Sequence, residues 1–217
     1  MLSTPANQAK LCLPPVGSIA AGVPRYLLLL NVAPGAREAV DAIRHSAIQS
    51  GDRLDAEIAA LLAQNNWRPQ LVGAVAILIA GANDARLAAL WGAIDRPCWT
   101  SPQLVAAASL VDVDFEARAR MRLDRRGALD ARDVESMPWP ARHSALGPGS
   151  IQRHSAKVLA ALLRVCEQRA SATHWIGPYA ANEELRRIVA TDADGGGFIA
   201  ATWRDAIAAI VSPVPTA

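Results

Sequence analysis

An arginine-rich segment is the part of the sequence with the clearest capacity to bind a partner. Within residues 116–126, Arg118, Arg122 and Arg125 have the spacing that places side chains along one face of a helix. Guanidinium groups bind carboxylates and phosphates through paired N–H donors, so this row could hold an acidic protein or a nucleic-acid backbone. It could equally be a solvated helix surface whose charge is balanced by neighbouring acids such as Asp112 and Asp124.

The tryptophans fall into two groups. Trp139 stands between two prolines and Trp175 follows His174, so both are predicted to lie in loops. Tryptophan is enriched at binding hot spots, and these two residues are therefore candidates for a contact surface beside the arginine row. The remaining tryptophans stand at predicted helix starts or on apolar stripes, and we expect them in the core: Trp67, Trp91, Trp99 and Trp203.

Residue patterns that could support catalysis or metal binding are incomplete. His45, His143 and His154 each precede a serine, but adjacent side chains on a helix point about 100° apart and cannot form a nucleophile and base pair. The acidic segment at residues 192–203 resembles a calcium loop at its first positions. It has Trp203 where a bidentate glutamate is required. We therefore expect no catalytic residue, no metal site, no cofactor and a non-enzymatic role.

A tetrapeptide repeat indicates how the chain is built. Pro69-Gln70-Leu71-Val72 recurs as Pro102-Gln103-Leu104-Val105, 33 residues later, and each copy opens an apolar run. A period of roughly 20 to 50 residues is typical of stacked supersecondary units. Both prolines are predicted in the first turn of a helix, where proline costs no hydrogen bond, with Ser101 as the cap of the second helix.

Helical periodicity extends over most of the remaining chain, which predicts an all-α single domain of about nine helices. Residues 1–33 are rich in proline and glycine and are expected to form an irregular arm, in which residues 26–32 could be strand or helix. Residues 34–126 form the predicted helical repeat region, residues 127–149 a loop, and residues 150–217 further helices of the same domain. Gly177-Pro178 is expected to begin one of these helices.

Composition narrows the class of protein. With 217 residues, of which 52% are hydrophobic and 19% charged, the chain is predicted to be globular. Its three widely spaced cysteines favour a reducing compartment. No leader or spanning segment is recognisable, so we expect a cytoplasmic protein without membrane contact. The net charge of +2 makes nucleic acid possible but less favoured than a protein partner.

Paired helices, a proline near the start of the first helix and a period near 33 resemble HEAT-like α-helical repeats. The resemblance implies an α-solenoid that binds a macromolecule along one face, as an adaptor or, by analogy with bacterial immunity proteins, as a toxin-immunity protein. HEAT-like folds also include DNA glycosylases, which hold damaged bases with tryptophan and an acid. That alternative would give such roles to Trp99, Asp95 and Arg118, while the oligomeric state stays open.

Overall fold

The computed structural model describes residues 26–125, 148–192 and 195–212, and within them every regular element is helical and none is a strand. The all-α prediction is confirmed for this part of the chain. The helices are α1 Tyr26–Leu30, α2 Ala36–Ser50, α3 Leu54–Leu62, α4 Trp67–Ala80, α5 Asp84–Ile94, α6 Ser101–Val111, α7 Phe115–Asp124, α8 Pro148–Glu167, α9 Thr173–Ala181, α10 Glu183–Val189 and α11 Gly196–Val211, with 3₁₀ turns at Gly51–Arg53 and Ala170–Ala172.

The two copies of the repeat open α4 and α6. Pro69 and Pro102 both lie in the first turn of their helices, where the absent N–H would have had no intrahelical acceptor. The expected cap at Ser101 is wrong, because Ser101 is the first residue of α6 and Thr100 precedes it without a side-chain cap. The Ser101 hydroxyl instead accepts a hydrogen bond of 2.7 Å from the backbone N–H of Cys98, which closes the turn before the helix.

Equivalent positions of the repeat are buried alike. Leu71, Leu104 and Val105 are fully buried, and Val72 is 3% exposed. Burial of α6 extends round its whole circumference from Ser101 to Ser109, because α4, α5, α8 and α11 all pack against it. Helix α6 is therefore the centre of the hydrophobic core.

Of the two alternatives left open for residues 26–32, the structure has the helix. Residues 26–30 form α1, which is neither irregular nor a strand, and Leu29 is fully buried; residues 1–25 lie outside the described residues. The last carbonyls of a helix have no intrahelical donor. In α1 they accept from the Trp203 indole (2.7 Å to the Leu29 oxygen) and the Gln103 amide (3.2 Å to the Leu30 oxygen), which fixes α1 to α6 and α11.

The C-terminal helices return to the same core. Helix α11 packs against α8, α6 and α2, and it buries Trp203 and Ile207. The predicted helix start at Gly177-Pro178 is wrong, since both residues lie inside α9. Of the predicted loop at residues 127–149, only 148 and 149 are described, and they belong to the first turn of α8.

Close packing of α11 on α8 depends on glycine. A Cβ added at Gly197 would lie 2.9 Å from the Ala160 carbonyl oxygen and 3.0 Å from the Arg164 Cβ. Gly197→Ala should therefore lower the free energy of unfolding by about 1–3 kcal/mol, the usual cost of overpacking.

The matched control is Gly92→Ala, because the nearest group at that helical site is the Arg96 guanidinium at 3.8 Å. Alanine is the better helix former, so this change should raise stability by up to about 1 kcal/mol. Urea denaturation of both variants measures the difference. Equal effects at the two sites would contradict the close helix crossing.

Candidate functional site

Helix α7 has a thin buried stripe and a broad outward surface. Phe115, Ala119 and Leu123 are fully buried, and α7 packs chiefly on α8. The predicted binding arginines all belong to this element, Arg118 and Arg122 within the helix and Arg125 directly after it. Their partners decide whether they are available to another molecule.

Two of the three arginines are committed to partners inside the domain. Arg122 binds Asp95 through two hydrogen bonds of 2.7 and 2.6 Å, and its guanidinium carbon lies 4.1 Å from the centre of the Trp91 ring. Arg118 lies 3.2 Å from an Asp112 carboxylate oxygen. Ion pairs within the fold therefore occupy two positions of the predicted row, and for Arg118 the partner is Asp112, as in the alternative of a helix surface balanced by neighbouring acids. Arg125 is exposed and makes no ion pair with a described residue.

The acid beneath this row is deeply buried. The Asp112 side chain is 1% exposed. One of its oxygens accepts from the Trp91 indole at 2.6 Å, and the other accepts from the backbone N–H of Asp114 at 2.9 Å. A carboxylate withdrawn from water needs such compensation, so the Arg118 contact completes a structural network that joins α5, α6 and α7.

A different face of α7 is open to solvent. It consists of five exposed residues, which we call the outer α7 face: Ala117, Arg120, Met121, Asp124 and Arg125. Met121 is 49% exposed. No carboxylate among the described residues lies within 4.0 Å of either arginine of this face. The apolar side chain of Met121 is therefore exposed between two arginines that form no ion pair with a described carboxylate.

The outer α7 face continues onto α9 through Tyr179. The Tyr179 hydroxyl donates a hydrogen bond to Asp124 and accepts one of 3.3 Å from Arg120 Nε. Burial raises the pKa of Tyr179, and the hydrogen bond to Asp124 adds to that shift. The phenol therefore stays protonated at neutral pH, and its hydroxyl donates the hydrogen bond to the Asp124 carboxylate.

The structure separates the two tryptophans proposed as contact residues. Trp175 does not lie in a loop, because it is part of α9, and at 9% exposure it is buried. Its ring packs edge-on against Tyr179, with 5.6 Å between centroids. It therefore supports the partly exposed Tyr179 from beneath. Trp139 lies outside the described residues.

Glu116 anchors α9 to α7. It accepts hydrogen bonds from Arg169 Nε at 3.0 Å, from the Trp175 indole at 3.1 Å and from the Ser171 hydroxyl. Burial acts to raise the pKa of Glu116, but the bonds from Ser171, Trp175 and Arg169 outweigh it, so the pKa is lowered. The charged form is thus the one that the folded protein stabilises.

A lowered pKa predicts acid sensitivity at this anchor. The stabilisation by Glu116 should be complete above the ordinary glutamate pKa of 4.5 and should be lost as pH falls through the lower folded value. At pH 7, Glu116→Gln should cost about 1.5–3 kcal/mol, as for hydrogen bonds to a charged group.

Denaturation of wild type and Glu116→Gln from pH 7 down to pH 3 measures this dependence. The difference in free energy of unfolding between the two proteins should narrow on acidification, because the wild-type Glu116 side chain also becomes neutral. Glu183→Gln, at an exposed position of α10, is the control. A gap that stays constant with pH would contradict the anchoring role.

Trp99, Asp95 and Arg118, the residues named for a site that binds a damaged base, each contact a different residue. Asp95 binds Arg122 and Arg118 contacts Asp112. Trp99 is not a core residue as expected, since it is 53% exposed and its ring faces Lys157, with 5.6 Å between the ammonium nitrogen and the ring centroid. The three residues named from the resemblance to glycosylases are therefore engaged in separate contacts.

Other candidate chemistry in the described residues is also accounted for by local contacts. His45 pairs with Gln49 at 2.9 Å, and no group of three potential metal ligands occurs in residues 26–125, 148–192 and 195–212. Burial raises the pKa of Cys166 to about 12, so that thiol stays protonated. None of the helices in these ranges has the length and hydropathy needed to cross a bilayer.

The arginine spacing in the sequence indicates the side of α7 that carries Arg118 and Arg122, which is not the most exposed side of the helix. Arg120, Met121 and Tyr179 were not singled out, although the positions of Phe115, Ala119 and Leu123 indicate which side of α7 is buried and hence which side is opposite. Comparison with protein families, with curated proteins and with solved structures finds no match to this chain.

Proposed function

We propose that this chain is a helical-repeat protein that binds another protein through the outer α7 face. The packing order supports a HEAT-like stack of helix pairs. Helices α2, α4, α6 and α8 each pack against the next member of that series, and α3 packs against α5. Alternate helices that stack on one another in this way are typical of α-solenoids.

The inner side of this proposed stack is already covered. Helix α11 lies on α2, α6 and α8 and buries Trp203 and Ile207 against them. A partner could reach that side only by displacing a helix with a substantial buried surface. Binding is therefore proposed at the outer helices, where side chains are accessible without rearrangement.

One observation carries the proposal: Met121 is half exposed between Arg120 and Arg125, beside the partly exposed Tyr179. Methionine, arginine and tyrosine are the residue types enriched at protein interfaces. Tyr179 is held by Asp124 and packed on Trp175, so little conformational entropy would be lost there on binding. The face is thus adapted to contact a protein surface.

The biological role that follows is that of an adaptor or a toxin-immunity protein. If the bound protein is a toxin, the chain would neutralise it by covering part of its surface. Any other partner would make the chain an adaptor. A net charge of +2 favours neither extensive phosphate neutralisation nor a DNA-repair role, because proteins that neutralise many phosphates carry a larger basic excess.

Photo-crosslinking in cells of the source organism tests the proposal. A benzophenone amino acid placed at Met121 should form an adduct with a protein partner, whose identity then distinguishes toxin from scaffold. The same group at Ile48, which is 75% exposed on α2, should not form that adduct. No adduct at position 121, or the same adducts from both positions, would contradict the proposed surface.

A further inference from the structure

We propose that the partner presents carboxylates on either side of an apolar side chain, so that it complements Arg120, Met121 and Arg125. This inference rests on the proposed function and adds the chemistry of the partner. It follows from three properties of the outer α7 face: the charges left unpaired, the order of side chains across it, and the state of its only acid.

The charge balance of α7 leaves two arginines for an external acid. Arg118 is paired with Asp112 and Arg122 with Asp95. Arg120 contacts the neutral Tyr179 hydroxyl, and no carboxylate of the described residues pairs with Arg125. The guanidinium group stays charged at any physiological pH. Both arginines could therefore form an ion pair with a carboxylate of another molecule.

The order of side chains across the helix sets the pattern of the partner. At about 100° per residue, Arg120 and Arg125 lie at the two edges of the exposed arc, and Asp124, Ala117 and Met121 lie between them in that order. The two arginines are about 7.5 Å apart along the helix axis. A partner surface with an apolar side chain flanked by acids would cover methionine and pair both charges at once.

The acid within the face, Asp124, offsets one of the two arginine charges and leaves the face with a net positive charge. Asp124 accepts a hydrogen bond from the Tyr179 hydroxyl, so one of its oxygens is directed to α9. Its remaining charge makes the face less suited to a phosphate backbone, which repels carboxylates, than to a protein side-chain pair that can avoid it. Two arginines separated by methionine also give too short a basic track for nucleic acid.

A designed peptide provides a direct test. The probe is an alanine-based helical peptide with a central leucine and a glutamate three positions to either side of it. Added to the ¹⁵N-labelled full chain at low salt, it should shift amide resonances of α7 and Tyr179. The double variant Arg120→Glu with Arg125→Glu should bind at least about tenfold more weakly, because two attractions become repulsions.

Matched controls separate charge at this face from net charge. Arg186→Glu with Arg187→Glu makes the same charge change at exposed positions of α10 and should leave binding unchanged. A peptide with glutamine in place of glutamate should bind weakly to wild type. A peptide with lysine in place of glutamate should recover binding to the Arg120→Glu, Arg125→Glu protein, which a merely misfolded variant could not do.

The outcomes distinguish this inference from the proposed function. If the acidic and glutamine peptides shift α7 equally, or neither shifts it, the acidic partner is overturned while an adduct at Met121 would still support protein binding. If a DNA duplex binds the face more tightly than the acidic peptide and loses binding in the Arg120→Glu, Arg125→Glu protein, both proposals are overturned. Charge-dependent peptide binding with rescue supports the inference.

Discussion

Replacement of Leu104 by alanine is expected to lower the free energy of unfolding by about 2–5 kcal/mol, among the largest effects of any single change in this chain. Leu104 is fully buried in α6, which α4, α5, α8 and α11 surround. Removing its side chain leaves a cavity that packed neighbours cannot readily close, and the cost combines lost transfer energy with the cavity itself.

The test compares two leucines of one helix. Leu110 lies at the exposed end of α6, at 40% exposure, so Leu110→Ala should cost well under half as much. Leu71→Ala, at the equivalent position of the first repeat copy, should match Leu104→Ala. Urea denaturation gives the free energy of unfolding of all three variants, which can be compared when its slope with urea concentration is the same. A Leu104→Ala protein as stable as Leu110→Ala would contradict the central position of α6.

The repeat could be recognised in the sequence because each copy is a short continuous segment. Two tetrapeptides with proline in the first turn and leucine two positions later specify a helix start and its buried face together, and both α4 and α6 follow that pattern. Helix α1 was not predictable in this way. Five residues are too few to show periodicity, and its stability comes from Trp203 and Gln103, which are distant in sequence.

The candidate site was only partly predictable for a related reason. Helical spacing correctly grouped Arg118 and Arg122 on one side of α7, and the sequence offered Asp112 as a balancing acid, but neither could show that Asp95 also occupies that side. Both acids come from other helices, so the pairing depends on how α5, α6 and α7 pack. The row of arginines recognised in the sequence is therefore largely engaged in ion pairs within the fold.

Removal of the buried acid in this network is expected to have a comparably large effect. Asp112→Ala should cost about 2–4 kcal/mol, because it leaves buried donors without their acceptor. The change leaves the Trp91 indole N–H without its acceptor at 2.6 Å and Arg118 without its counterion at 3.2 Å. Burial of unpaired donors, more than the loss of attraction, makes the change severe.

Asp114→Ala is the matched control, because Asp114 is exposed at the start of α7 and its side chain makes no capping hydrogen bond. It should change stability by less than about 1 kcal/mol. Asp112→Asn, which keeps an acceptor but loses the charge, should fall between the two. Urea denaturation curves of the three variants would measure the loss of the network. If Asp112→Ala were as mild as Asp114→Ala, Asp112 would not hold Arg118 within the fold, and Arg118 would have to be added to the surface proposed for the partner.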